Sequence, residues 1–275
     1  AARGRAAEVV NADAMQLYRG MDVGTAKLSV DERGGVPHHL MDVLAVTEEA
    51  SVAWYQPRAR AAVAAIEGRG AIPILVGGSG LYASSVLGPL DFPGTDEALR
   101  AELEAELERH GAAAMHARLA AVDARAAEAI GPHNGRRLVR ALEVVTSTGD
   151  PFPVGLPDVA PGTRIVHVRR ERSALVAALD ARVERMWAQG MLDEVRALVD
   201  RGLERGTTAQ AAIGYRQALD QLHGRIDEGE AIARTQHLTR RYARRQVSWF
   251  QRYPATDVDG PVGAEAIAGS LLTSE

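Results

Sequence analysis

Asp13 stands just past a short run, Glu8 to Asn11 (EVVN), whose paired valines suit a buried strand. Ligands of open α/β sheets sit at the carboxyl ends of strands, where this carboxylate lies. An aspartate there also caps a following helix, and position alone leaves both roles open. A second strand, Ile72 to Val76 (IPILV), runs into Gly77, Gly78, Ser79 and Gly80. Such a loop either turns its amides to an anion or is only a tight turn. Gly20, Gly24 and Lys27 suggest a nucleotide loop, but the spacing G-x-x-x-x-G-K-S/T occurs nowhere in the chain. His38 and His39 are adjacent in an extended segment, so they point to opposite sides, chelate one ion poorly and are expected to line a site. Arginines cluster at Arg136, Arg137 and Arg140, at Arg169, Arg170 and Arg172, and at Arg240, Arg241, Arg244 and Arg245. The last set forms two i,i+4 pairs of like charge, which weaken an isolated helix unless an anion meets them. Nucleic-acid phosphate and the chain's own 36 acidic residues are both candidates.

The elements that must hold these side chains are readable in outline. The 275 residues, 46% hydrophobic and 25% charged, suffice for one large domain or two smaller ones. There is no cysteine, which excludes disulfides, thiolate nucleophiles and cysteine-ligated metal. No apolar run is long enough to span a bilayer, and the expected compartment is the cytoplasm. The net charge of -4 gives no global positive field, so any contact with RNA must come from local patches. Between the two strands, Ser51 to Glu67 has helical periodicity, with Pro57 near its first turns. From Thr95 to Thr148 the pattern is helical throughout, broken at Gly111, Asp123 and Gly131 with Pro132. A strand, Arg164 to Val168, follows a Pro/Gly-rich stretch, and four more helical segments run to about Arg252. The expected domains are an α/β core over 1–94, a helical insertion over 95–150, and a return strand with C-terminal helices over 151–275. The opening AARGRAAEVVNAD reads as a helix tail entering a strand, as in a chain incomplete at its N-terminus.

Seven segments, in order, carry a resemblance. NADAMQLYRGMDVGTAK (Asn11 to Lys27) is followed by VPHHLMDV from Val36, PILVGGSGLY from Pro73, RRLVRALEV from Arg136, ARVERM from Ala181, AIGYR from Ala212 and RRYARRQVSWF from Arg240. Together they resemble the signature stretches of the tRNA dimethylallyltransferases and span nearly the whole chain. The resemblance implies a P-loop NTPase-like parallel sheet core with an all-helical, tRNA-binding insertion. It also implies that the first strand and the P-loop, with the residue that holds Mg2+, precede the segment matching Glu8 to Asp13, so that this chain carries no metal ligand of its own and turns over poorly. The implied partners are the anticodon stem-loop of tRNA and dimethylallyl diphosphate, and the implied state is a monomer.

The implied reaction moves a dimethylallyl group onto N6 of the adenosine 3′-adjacent to the anticodon. That amino group is a weak nucleophile, and Asp13 is suited to orient it and accept its proton. Gln16, with Ala14 and Met15 beside it, offers an amide matching an adenine edge. Ser79, where most relatives have threonine, keeps the hydroxyl of a tRNA contact beside the target base. Charge growing on the diphosphate is assigned to Arg182, Arg137, Lys27 and Thr25; without the resemblance, Arg182 in DARVERM reads as a solvated helix arginine. The tRNA contacts implied further along are Arg136, Arg137 and Arg140 on one helix face, and Gly214, Tyr215 and Arg216, the last two stacking on or clamping RNA. Ala211 replaces the usual arginine before that stretch, which puts a contact there in doubt. Two other readings remain: a nucleotide or small-molecule kinase using ATP, and a tRNA-binding protein without catalysis.

Overall fold

The computed structural model describes residues 6–260. The helix tail read at the chain's start lies outside them. Two compact units are present, one made of the residues up to Pro89 and those from Asp158 on, the other of Leu90 to Pro157.

The first unit opens with strand β1 (Ala7–Asn11), pairs it with the short β2 (His38–His39), and adds β3 (Ile72–Val76) on the other side. All pairings are parallel, in the order β2-β1-β3, with Val10 opposite Leu75 and Asn11 opposite Val76. Parallel neighbours need a crossover, supplied by helix α1 (Val52–Gly68). Ser51 starts it by accepting the Trp54 N–H. Pro57 sits in its second turn. Tyr55, Ala59 and Ile66 recur along one buried face and join Val10 of β1 in the core. The Tyr55 hydroxyl, inside that core, donates to the Asn11 carbonyl at 2.8 Å and so satisfies both polar groups. Helix α2 (Gly80–Leu87) leaves the glycine-rich loop directly.

The second unit is three helices: α3 (Glu97–Val122), α4 (Ala124–Ile130) and α5 (Gly135–Thr148). Its breaks have local causes. Gly111 takes φ 78°, Asp123 caps α4 by accepting the Ala126 N–H, and Gly131 ends α4 at φ 72°. Leu103, Met115, Leu119, Leu138 and Leu142 fill its core. The unit is wider than the 95–150 read from helical pattern alone. Phe152 and Val154 pack onto that core, the Phe152 N–H donates to Asp123, and Arg140 holds the Pro93 and Gly94 carbonyls. Non-helical flanks carry no periodic signal, so only contacts reveal their membership.

The chain then forms β4 (Val166–Arg169), two residues later than its sequence pattern suggests, followed by α6 (Arg172–Ala188), α7 (Met191–Asp200), α8 (Tyr215–Leu222), α9 (Glu228–Phe250) and β5 (Thr256–Asp259). β5 pairs in parallel with β4 as a separate two-stranded sheet. Its sequence, TDVD, lacks an apolar run and gave no strand signal. Among the described residues no helix is long and apolar enough to cross a membrane.

Candidate active site at the strand ends

β1 and β3 finish side by side, and their following loops are stapled together. The Ala12 N–H donates to the Val76 carbonyl at 2.7 Å, the Ser79 N–H to the Ala12 carbonyl at 3.3 Å, and the Ala14 N–H to the Ser79 hydroxyl at 3.1 Å. A Cβ on Gly77 would lie 2.3–2.8 Å from the Ala12 backbone, so only glycine permits this approach. On its far side the Gly78 carbonyl accepts Tyr242 and Gln246 from α9, at 3.1 and 3.0 Å. The loop bearing Ser79 is therefore held from two directions.

Asp13 rides on this junction. The Asn11 side chain accepts the Asp13 N–H at 2.9 Å and donates to the carbonyls of Asp13 and Leu40 at 3.0 and 2.9 Å. The Asp13 carboxylate accepts the Met15 N–H at 2.8 Å, making a turn, while no helix starts there. Burial raises the Asp13 pKa above the ordinary aspartate value; the N–H groups of Met15 and Gln16 and the charges of Arg182 and Lys27 oppose the shift without cancelling it. Arg182, on α6, is itself pulled down by burial, and the Asp13 charge works against that. Its Nε is buried without a hydrogen-bond partner. That N–H can still donate to an acceptor the chain itself does not supply.

Thr25 and Lys27 do not face outward as diphosphate ligands. The Lys27 ammonium, with a side chain 3% exposed, donates to Tyr18 O, Asp22 and Asp42 at 2.7, 2.8 and 2.6 Å. These use all three donors. The Thr25 hydroxyl donates to the Met21 carbonyl at 2.7 Å, and the Thr25 carbonyl accepts Gln16 Nε2 at 3.2 Å. The adjoining amides do converge on an anion, but that anion is Glu194 of α7, which accepts the N–H groups of Asp22, Val23 and Gly24. Tyr215 is also corrected. It is fully buried and its hydroxyl donates to Glu194 at 2.5 Å, so its ring has no face for RNA stacking. Gly214, buried at φ 92°, caps α8, while Arg216 is exposed and reaches toward Asp220 at 3.7 Å.

The second unit carries Arg136, Arg137 and Arg140 on α5. Arg136 and Arg137 are exposed. Arg140 instead turns inward to Glu143 at 2.8 Å, and Arg100 meets the same carboxylate at 2.6 Å. Arg137 and Arg140 therefore do not form one outward strip, because the buried Glu143 claims the second. Similar sorting splits the α9 cluster: Arg240 pairs with Asp180 at 2.5 Å, Arg245 lies over the Tyr242 ring, and Arg241 and Arg244 are exposed. Arg169 pairs with Asp257 across the β4–β5 sheet at 2.6 Å, leaving Arg170 and Arg172 exposed beside it. His38 and His39 do face apart: His38 lines a cleft of about 240 Å³ with Asn11 and Gln16, and His39 meets Glu8 at 2.6 Å. Among the described residues no cluster of three or more His, Asp or Glu is placed to hold a metal ion.

Sequence reasoning missed Asn11 and Glu194. Asn11 lay inside the first motif, where a polar residue ending a strand beside Asp13 was a usable signal. Glu194 gave none, since an acid in the first turn of a helix is favourable on dipole grounds alone.

The family model for IPP transferase matches residues 16–253. A tRNA dimethylallyltransferase of Clavibacter sepedonicus is 59% identical over 254 residues, covering 92% of this chain and 83% of its own. One from Salinispora tropica is 54% identical over 266 residues, covering 96% and 83%. Among solved structures, the full-length tRNA isopentenylpyrophosphate transferase of Bacillus halodurans gives a TM-score of 0.67 at 38% identity over 96% of this chain and 88% of that one. A eukaryotic dimethylallyltransferase described as acting on tRNA gives 0.75 at 26% identity, over 92% and 67%. A small parallel sheet with many helices and these likenesses define the protein as a transferase. More narrowly, the chain belongs to the IPP transferase family.

Proposed function

We propose that this protein modifies tRNA by moving a dimethylallyl group from dimethylallyl diphosphate to N6 of the adenosine 3′-adjacent to the anticodon, acting as a cytoplasmic monomer. The observation that carries the reading is Asp13: a carboxylate at the strand ends, held by Asn11 and the Ser79 loop, with a pKa raised by burial and Arg182 in its field. A raised pKa makes it a stronger proton acceptor than an ordinary aspartate while it remains in reach of its charged form.

In the reaction the N6 lone pair attacks C1 of the dimethylallyl group. The C1–O bond breaks with its electron pair leaving on the diphosphate, and the N6 proton passes to the Asp13 carboxylate. Arg182 meets the charge growing on the leaving oxygen through the donor that has no internal partner. Gln16 reads the adenine edge, and Ser79 supports the loop against which the base lies. Arg136 and Arg137 on the helical unit, with Arg216, meet tRNA phosphates. Among the described residues Arg182 alone has these properties for a diphosphate, and no G-x-x-x-x-G-K-S/T loop occurs in the 275 residues. Mg2+ would accompany the diphosphate and offset its charge.

The test is Asp13→Asn in single-turnover transfer to an anticodon stem-loop at saturating donor. Transfer is expected to fall at least about a thousandfold, within the range of a lost general base, while RNA affinity stays within about twofold. Unchanged transfer removes Asp13 from the chemistry.

A further inference from the structure

The Glu194 carboxylate lies away from Asp13 in the chain yet ties together three segments of the site. Oε2 accepts the N–H groups of Asp22 and Val23 at 3.1 and 2.8 Å, and Oε1 accepts the Gly24 N–H at 3.4 Å and the Tyr215 hydroxyl at 2.5 Å. The Tyr215 ring leaves no room for a Cβ on Gly24, so the loop is clamped by contact as well as by hydrogen bonds. The next residue, Thr25, presents the carbonyl that accepts Gln16 Nε2 at 3.2 Å. A carbonyl cannot donate, so this bond decides which end of the Gln16 amide is nitrogen and which is oxygen. Adenine offers a donor at N6, whereas hypoxanthine offers an acceptor at the same position. A Gln16 amide of fixed polarity distinguishes the two, and one able to turn over does not.

We propose that Glu194 is a positioning residue for base selection: by holding the Asp22 to Gly24 amides it places the Thr25 carbonyl, and so sets the polarity of the Gln16 amide that favours adenosine over inosine. The inference rests on the reading of Gln16 as the base reader. Arg216, the residue after the Tyr215 anchor in α8, is exposed.

The experiment measures binding, by fluorescence anisotropy, of two anticodon stem-loops that differ only in adenosine or inosine at the target position. Donor is not needed. The wild-type chain is expected to favour adenosine roughly tenfold or more, the scale of one well-formed amide–base pair, and Gln16→Ala to abolish that preference. Glu194→Gln is expected to bring the ratio to within about twofold of unity, chiefly by improving relative inosine binding, because the freed amide can turn over. A variant that binds both RNAs more weakly by the same factor shows a purely structural role and overturns the inference, while leaving Gln16 as reader. A wild-type ratio near one, or a ratio that survives Gln16→Ala, overturns the reading of Gln16 and the inference with it. If Glu194→Gln does not fold, Tyr215→Phe removes one partner of the carboxylate and must shift the ratio in the same direction; an unchanged ratio there also overturns the inference.

Discussion

Replacing Gly77 with alanine tests whether the junction of the two strand-end loops positions Asp13. The added Cβ would sit 2.3, 2.5 and 2.8 Å from C, O and Cα of Ala12, whereas ordinary contact begins at 3.4 Å. All three are backbone atoms, so no side chain can swing aside. The loops must part by about 1 Å. That separation strains the hydrogen bonds from Ala12 to Val76 and from Ala14 to Ser79, at 2.7 and 3.1 Å. Overpacking costs about 1–3 kcal/mol, and each of the two weakened bonds adds up to about 1 kcal/mol, for a loss of roughly 1–5 kcal/mol. A misplacement of about 1 Å costs on the order of a hundredfold in rate. Urea denaturation reads the first quantity and single-turnover prenyl transfer the second. A variant with near wild-type stability and full transfer would refute the claim that this close approach holds the site.

Two further outcomes follow from buried carboxylates of opposite character. Because the Asp13 pKa is raised by burial, its charged form opposes folding: stability is fully present below the ordinary value of about 4 and is lost as pH rises through the raised one. Transfer is expected to rise over that same window, and Asp13→Asn to be more stable than the parent at neutral pH but not at pH 3; thermal melts across that range check it, and a limb at the ordinary aspartate pKa contradicts it. Glu143 is fully buried; burial pushes its pKa up, but hydrogen bonds from Arg100 and Arg140 outweigh that and lower it. Glu143→Ala should destabilise the chain by about 2–3 kcal/mol, less than for a fully buried ion pair because both arginines are partly exposed. Urea unfolding measures this, and a loss under about 0.5 kcal/mol would show that the pair is only a surface contact.

Much of the site's frame was legible in the chain because it is local. Valines ending in Asn11, Ile72 to Val76 ending in glycines, and the helical stretch that opens at Ser51 are patterns of neighbouring residues, and each acts on backbone within a few positions. Asp13 and Ser79 could be read as candidates for the same reason: both sit where a strand ends. What the sequence could not reveal was the direction in which a polar side chain spends its hydrogen bonds. Lys27, Tyr215 and Arg140 have the residue types of ligand-binding groups, yet Asp42, Glu194 and Glu143 absorb them. The reverse holds for Arg182, an ordinary helix arginine in sequence whose Nε burial leaves without a partner.

From the sequence alone came the family resemblance, the alternation of strands with helices, and the carboxylate at the end of β1, because linear motifs and periodicity are written residue by residue. Tertiary structure alone decided which charges are available to a ligand and which are neutralised inside, since that depends on partners as distant as Glu194 from Val23. A buried charge must find a counter-charge or donor wherever the fold supplies one, and no local pattern encodes where that will be.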